Sequence, residues 1–202
     1  MICRLPDFSL GEDWKTQLEN VSMKNWKSYY FLSLEYFRAA DFFRALETVN
    51  HSIIMNCNAH NLHARGNILR RCGDRAGTVR DISACARLCN SDVSLVKEAL
   101  KILAEQAAWN EILLLYSELP KDITARPMIC LLYATALAHT GKIEDAWNIL
   151  HKNGGLEIPD LREGEASISE LYTYLFRRRQ KLSEDMPVKI PYIFDIRMTK
   201  NG

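Results

Sequence analysis

Repetition constrains this chain more than any other feature. Helical stretches with apolar residues at spacings of three and four are broken at Ala40-Asp41-Phe42, Gly73-Asp74-Arg75, Gln106-Ala107-Ala108 and Gly141-Lys142-Ile143. The breaks return about every 34 residues, the period of a stacked array with two helices per unit. Five residues beyond the first member of each break stand Ala45, Thr78, Glu111 and Ala146, with Ile112 in place of Glu111 if the third turn is one residue longer. Seven residues before it stand Ser33, Gly66, Ala99 or Leu100, and Ala134. A small side chain at such a point lets the paired helix come close. The clearest copy is DFFRALETVNHSIIM, Asp41 to Met55, where Leu46, Val49, Ile53 and Ile54 share one face. One helix pair cannot bury that face alone, so consecutive pairs must pile up.

The first unit carries Tyr29, Leu32, Ser33, Tyr36, Ala40, Asp41, Phe42, Ala45 and Val49 in this frame. The fourth carries Tyr133, Ala134, Leu137, Gly141, Ile143, Ala146 and Leu150, and the second Leu62, Gly66, Leu69, Gly73, Asp74, Thr78 and Ile82. The third, with Ala99, Leu103, Trp109, Ile112 and Tyr116, is degenerate. The pattern resembles the tetratricopeptide repeat over residues 26–153. That resemblance implies an all-α, right-handed superhelix of four helix pairs, at about 26–59, 59–92, 93–126 and 127–153. It also implies a non-catalytic scaffold that binds a peptide or partner domain in a concave groove lined by the first helix of each pair.

The outward positions on those helices are Lys27, Tyr30, Leu34 and Phe37; His60, His63, Asn67 and Arg70; Ser94, Lys97, Lys101 and Ala104; and Met128, Leu131, Thr135 and Ala138. The expected peptide-binding set is Tyr30, Phe37, His63, Asn67, Arg70, Lys97 and Lys101. His63, Asn67 and Arg70 stack along one helix face, as do Lys97 and Lys101 on the next. Such cations could grip a carboxylate or an amide-rich peptide through charge-assisted hydrogen bonds. The two-carboxylate clamp of chaperone-binding family members does not carry over. Tyr30 and Leu34 stand where its first donors belong, and starting one unit later gives His63 and Asn67 followed by Glu98.

The flanks carry a narrower likeness. Residues 25–47, 158–172 and 190–198, with NWKSYYFLSLEYFRAADFFRALE, IPDLREGEASISELY and IPYIFDIRM, resemble the C-terminal part of a set of large bacterial proteins. In those, such repeats follow an N-terminal region of unknown, carbohydrate-related function. The likeness implies a short relative or a severed tail, with any enzymatic part absent and the repeats mediating homodimerisation. This is the alternative to peptide binding.

Outside the repeats, Pro6 keeps Leu5 out of helix, and Ser9 with Glu12 fits a capping box opening a short helix to about Val21. Trp14, Leu18 and Val21 would form its apolar face. Asn153-Gly154-Gly155 suits a helix end. Ser167 with Glu170 opens a capping helix to about Lys181, whose Arg177, Arg178, Arg179 and Lys181 suit the helix dipole. Val188, Ile190, Tyr192, Phe194, Ile196 and Met198 alternate between Pro187 and the C-terminus, as in an extended strap over the last helices.

Charge and chemistry exclude more than they add. With 26 basic and 25 acidic residues, no long-range field is available to hold nucleic acid or an anionic membrane. No run approaches the roughly 20 apolar residues of a membrane span, and MICRLPDFSLGEDW lacks a signal-peptide core. None of the six cysteines forms C-x-x-C, and Cys85 and Cys89 read as helix-buried thiols of a cytoplasmic protein. His60 and His63 have no third metal ligand on their face. Arg162-Glu163-Gly164-Glu165 reads as a solvated loop. No enzymatic motif, cofactor or metal site is expected.

Overall fold

A computed structural model describes residues 11–158 and 167–195. These residues are all-helical, with no strand among them. The chain divides after Gln106 into two compact units.

The first unit contains α1 (Gly11–Asn20), α2 (Trp26–Arg38), α3 (Phe42–Met55), α4 (Ala59–Arg71), α5 (Arg75–Leu88) and α6 (Val93–Glu105). Helices α2 and α3 pack along each other, as do α4 and α5, and α4 also packs on α3 and α6 on α5. Polar side chains start these helices by accepting backbone N–H bonds: Asn25 from Ser28, Asp41 from Arg44, Asn58 from His60 and Asn61, Asp74 from Gly77, and Asp92 from Ser94 and Leu95.

The turns inside the pairs are built alike. At the end of α2, Ala40 N–H donates to Phe37 O at 3.0 Å and Asp41 N–H to Tyr36 O at 2.9 Å, with Ala40 at φ 59°. At the end of α4, Gly73 donates to Arg70 O and Asp74 to Leu69 O, with Gly73 at φ 78°. Both are closures on a left-handed residue. Asp41 and Asp74 therefore close one helix through their backbone and open the next through their side chain.

The small positions let the pairs close up. Ser33, Ala45, Thr78 and Ala99 are fully buried. Gly66 backs onto Ile82, where an added Cβ would lie 2.7 Å from Cδ1. Tyr30, Leu32, Tyr36, Ala45, Val49, Ala64 and Ile68 form one core cluster, against which Leu18 of α1 packs. Trp14 and Val21, expected beside Leu18, are 52% and 40% exposed. Instead the ten-residue α1 is held by Leu18 and by the Tyr36 hydroxyl, which donates to Glu19 Oε1 at 2.6 Å. Burial, then the Glu19 bond, pushes that phenol up to about 12.

Directional bonds fix the register between helices. Buried Asn61 donates to Ser52 Oγ and Asn56 O, and Ser52 Oγ donates to Trp26 O at 2.8 Å, tying α4 to α3 and α2. Asp81 of α5, 1% exposed, receives the Arg65 guanidinium of α4 through both oxygens and Arg80 Nε at 3.0 Å.

The second unit contains α7 (Trp109–Glu118), α8 (Lys121–Thr124), α9 (Pro127–His139), α10 (Ile143–Leu150), α11 (Ser167–Gln180) and two 3-10 turns, Lys152–Gly154 and Tyr192–Phe194. Helix α9 packs on α7 and α10, and α11 on α10 and α9. Gly141, at φ 84°, closes α9 with the same bond pair seen after α2 and α4. The left-handed residue before α7 is Ala107, at φ 49°, one position later than the first member of the expected turn. Accordingly Ile112, and not Glu111, is fully buried. The helices after these two turns, α7 and α10, have no side-chain cap. The division between the units falls inside the third expected repeat.

Helix α9 is apolar around its whole circumference, the pattern of a buried helix. Leu131 and Ala138, expected on an open inner face with Met128 and Thr135, are 1% exposed in a cluster with Ile168, Leu171, Tyr172 and Leu175 of α11. Asn153, Gly154 and Gly155 all take positive φ after α10. Val188 and Ile190 pack against the same cluster, and Phe194 is buried in it. Tyr192 is 62% exposed because the 3-10 turn replaces alternation by a period of three. Ser9, Arg162 to Glu165, Ile196 and Met198 lie outside the described residues, as does the Ser167 side chain.

Candidate functional site

Helices α4 and α6 carry five of the seven expected binding residues. Helix α4 is fixed at its start by a reciprocal capping box, in which Asn58 and Asn61 accept each other's backbone N–H. Its other end is fixed by the Gly73 turn, and Asp92 caps α6. Rigid ends hold the side chains between them at fixed spacing.

His63 and Arg70 stand two helical turns apart on α4, and Glu98 and Glu105 stand two turns apart on α6. His63 Nε2 lies 3.1 Å from Glu98 Oε1, and Arg70 Nη1 lies 2.5 Å from Glu105 Oε2. The two pairs form parallel rungs from α4 to α6. Asn67, between them, donates to the His63 carbonyl at 3.1 Å. Lys97 and Lys101 stand half-buried on α6.

The electrostatics follow from these contacts. The His63 hydrogen bond holds the Glu98 carboxyl below its ordinary value, outweighing the opposing effect of burial. Burial, then the neighbouring His63, lowers His60. His63 is only 8% exposed, while the Glu98 and Glu105 side chains are half-exposed or more. The expected row of cations is thus a row of hydrogen-bonded pairs, with the lysines adding positive charge beside it.

The aromatic end lies differently. Tyr30 is buried in the first core cluster, and Phe37 is half-buried against Phe42, ring centroids 5.9 Å apart. Neither presents an open ring face comparable to the α4–α6 rungs. Glu98 and Glu105 were not singled out by residue patterns within one helix. Their signal was available: each follows its partner by 35 residues, about one repeat.

Among the described residues no three of His, Cys, Asp and Glu gather as a metal would require, and no helix is long and apolar enough to cross a membrane. Comparison with family models, curated proteins and solved structures finds no match to this chain.

Proposed function

We propose that residues 26–153 are a non-catalytic scaffold of tetratricopeptide type, and that the α4–α6 face binds an extended peptide or an exposed partner segment of mixed charge. The pair of rungs, His63–Glu98 and Arg70–Glu105, carries this reading. Rungs two turns apart repeat at about 10 Å. A peptide in the extended polyproline II conformation rises about 3.1 Å per residue with three residues per turn, so every third residue meets a rung from the same side. Each rung offers a donor and an acceptor, Asn67 adds an amide, and Lys97 and Lys101 favour an acidic side chain nearby. Such a face reads a pattern of charges more readily than one terminal carboxylate. The cytoplasm is the proposed place of action, since no disulfide joins the described cysteines.

The test is peptide selection from a random display library on the immobilised chain, followed by titration of the recovered peptides. Arg70→Glu with Lys97→Glu should weaken binding by about tenfold or more. The melting temperature should fall little, because the Arg70–Glu105 pair is partly exposed and such pairs contribute about 0–1 kcal/mol. Unchanged affinity in the double variant overturns the assignment. A tight dimer by light scattering, split by the same two substitutions, would assign the face to self-association instead.

A further inference from the structure

We propose that His63, by gaining or losing a proton, sets which peptide group the Asn67 amide receives on the α4–α6 face: a hydrogen-bond donor near neutral pH and a carboxylate in mild acid. The inference rests on the peptide-binding reading above and adds a control to it.

The geometry starts at Glu98. His63 Nε2 lies 3.1 Å from Glu98 Oε1. An ionised carboxylate only accepts, so the neutral ring carries its proton on Nε2 and has a bare Nδ1. The His63 bond holds the Glu98 carboxyl below its ordinary value, and Glu98 stays ionised in mild acid. A proton added to the ring therefore goes to Nδ1. Asn67 Nδ2 stands 3.4 Å from His63 Nδ1 and 3.2 Å from Nε2. An atom so nearly equidistant would collide with the ring carbons if it lay in the ring plane, so the amide N–H group lies over the ring face. A neutral ring favours that contact. The same Nδ2 donates to His63 O at 3.1 Å. Asn67 Oδ1 makes no hydrogen bond among the described residues, so the half-buried side chain has an acceptor to offer a ligand.

Protonation reverses the preference. A cationic ring repels the amide hydrogens and draws the carbonyl oxygen. The amide turns over, Oδ1 goes to the ring, and Nδ2 becomes the donor offered outward. The surrounding groups leave this exchange to His63. Burial and His63 itself lower His60, which resists a second charge beside it. Arg70 is paired with Glu105, while Lys97 and Lys101 stay cationic in both states. From α2, Tyr30 meets His60, ring centroids 6.3 Å apart, and buried Glu35 is held by Arg38. From α3 and α5, Asn50 and Asp81 are bound by Arg65.

The first test needs no ligand. The Asn67 side-chain ¹H–¹⁵N signals of the full chain should move with the His63 ring titration between about pH 7.5 and pH 5.5, and the neutral ring should show its proton on Nε2. His63→Gln should hold the Asn67 signals still. Asn67 signals indifferent to His63, or a neutral proton on Nδ1, overturn the proposal whatever the face binds. The second test selects peptides from a random display library on the immobilised chain at the same two pH values. Acidic residues should be commoner among peptides recovered in acid, and each set should bind about tenfold more weakly at the other pH. Asn67→Ala should remove most of that difference while His63 still titrates. A difference that survives Asn67→Ala overturns the role of the amide and leaves the peptide reading standing. Recovery of no binder at either pH overturns the peptide reading and the selection with it. If His63→Gln lowers the melting temperature sharply, the wild-type titration and Asn67→Ala still decide.

Discussion

The left-handed turn residues allow a stability test with opposite signs built in. Ala40 and Ala107 adopt φ 59° and 49°, while Gly73 and Gly141 adopt 78° and 84° at equivalent turns. A Cβ in this region costs roughly 1–2 kcal/mol. Glycine gives back about 0.5–1 kcal/mol through its greater freedom in the unfolded chain. Ala40→Gly and Ala107→Gly should therefore each stabilise by about 0.5–1 kcal/mol. Both alanines are exposed, so little packing is lost. Gly73→Ala and Gly141→Ala should destabilise by a similar amount. No atom lies within 4 Å of a Cβ added at either glycine, so no clash enlarges the effect. For a chain of this size 1 kcal/mol moves the melting temperature by about 2–4 °C. Scanning calorimetry with urea unfolding reads all four variants. If the two units melt separately, Ala40 and Gly73 should move one transition and Ala107 and Gly141 the other. Destabilisation by Ala40→Gly, or no effect of Gly73→Ala, would refute the argument that these turns are set by backbone conformation.

Two further outcomes follow from buried polar groups. Asp81→Ala leaves the Arg65 guanidinium between α4 and α5 with only its bond to Asn50 Oδ1 and should lower stability by about 3 kcal/mol, read as a shift in urea midpoint; a loss within error would mean that water replaces the carboxylate freely. Burial lowers the pKa of both His60 and His139, so folding favours their neutral forms. Their stabilising contribution is complete above the ordinary value of 6.5 and is lost as pH falls below it toward the folded-state values. The melting temperature should be lower at about pH 5.5 than at about pH 7.5, a window in which ordinary carboxylates stay ionised. His60→Gln with His139→Gln should flatten that slope, and an unchanged slope would assign it elsewhere.

The turns were legible in the sequence where glycine or aspartate marked them. Gly73-Asp74 and Gly141 stand where the chain turns, and Ala40-Asp41 is rescued by its aspartate. Gln106-Ala107-Ala108 has neither marker, so its left-handed residue was displaced by one, and the buried position moved with it to Ile112. Helix α9 misled for another reason. Periodicity identifies an inner face only when a helix also has a polar one, and α9 has no polar stripe to orient it. On the candidate face, His63, Asn67, Arg70, Lys97 and Lys101 could be singled out because cations and an amide at helical spacing stand out within one element. Their partners Glu98 and Glu105 became visible only once α4 and α6 lay side by side, because a pair between helices leaves no mark in either helix alone.

The two units hold their helices by different means, and this bears on what the first can bind. In the first, apolar packing is non-directional and leaves neighbouring helices free to slide, but Asn61, Ser52 and the Asp81 carboxylate fix their register. Arg75 Nε, donating to Gln106 O, ties α5 to the end of α6, and with the His63–Glu98 and Arg70–Glu105 bonds it keeps the α4 and α6 side chains in step. In the second unit the C-terminal segment is held largely by rings: Phe194 stacks on Tyr172 at 5.1 Å and meets His151 edge-on at 5.1 Å, while Trp147 lies against His151 at 3.9 Å. Hydrogen bonds from Ser169 Oγ to Phe194 O and from Arg177 Nη2 to Met186 O add direction there. Ring contacts tolerate small shifts that a bidentate ion pair does not. On the proposed reading, the α4–α6 face therefore favours a ligand that already matches its spacing.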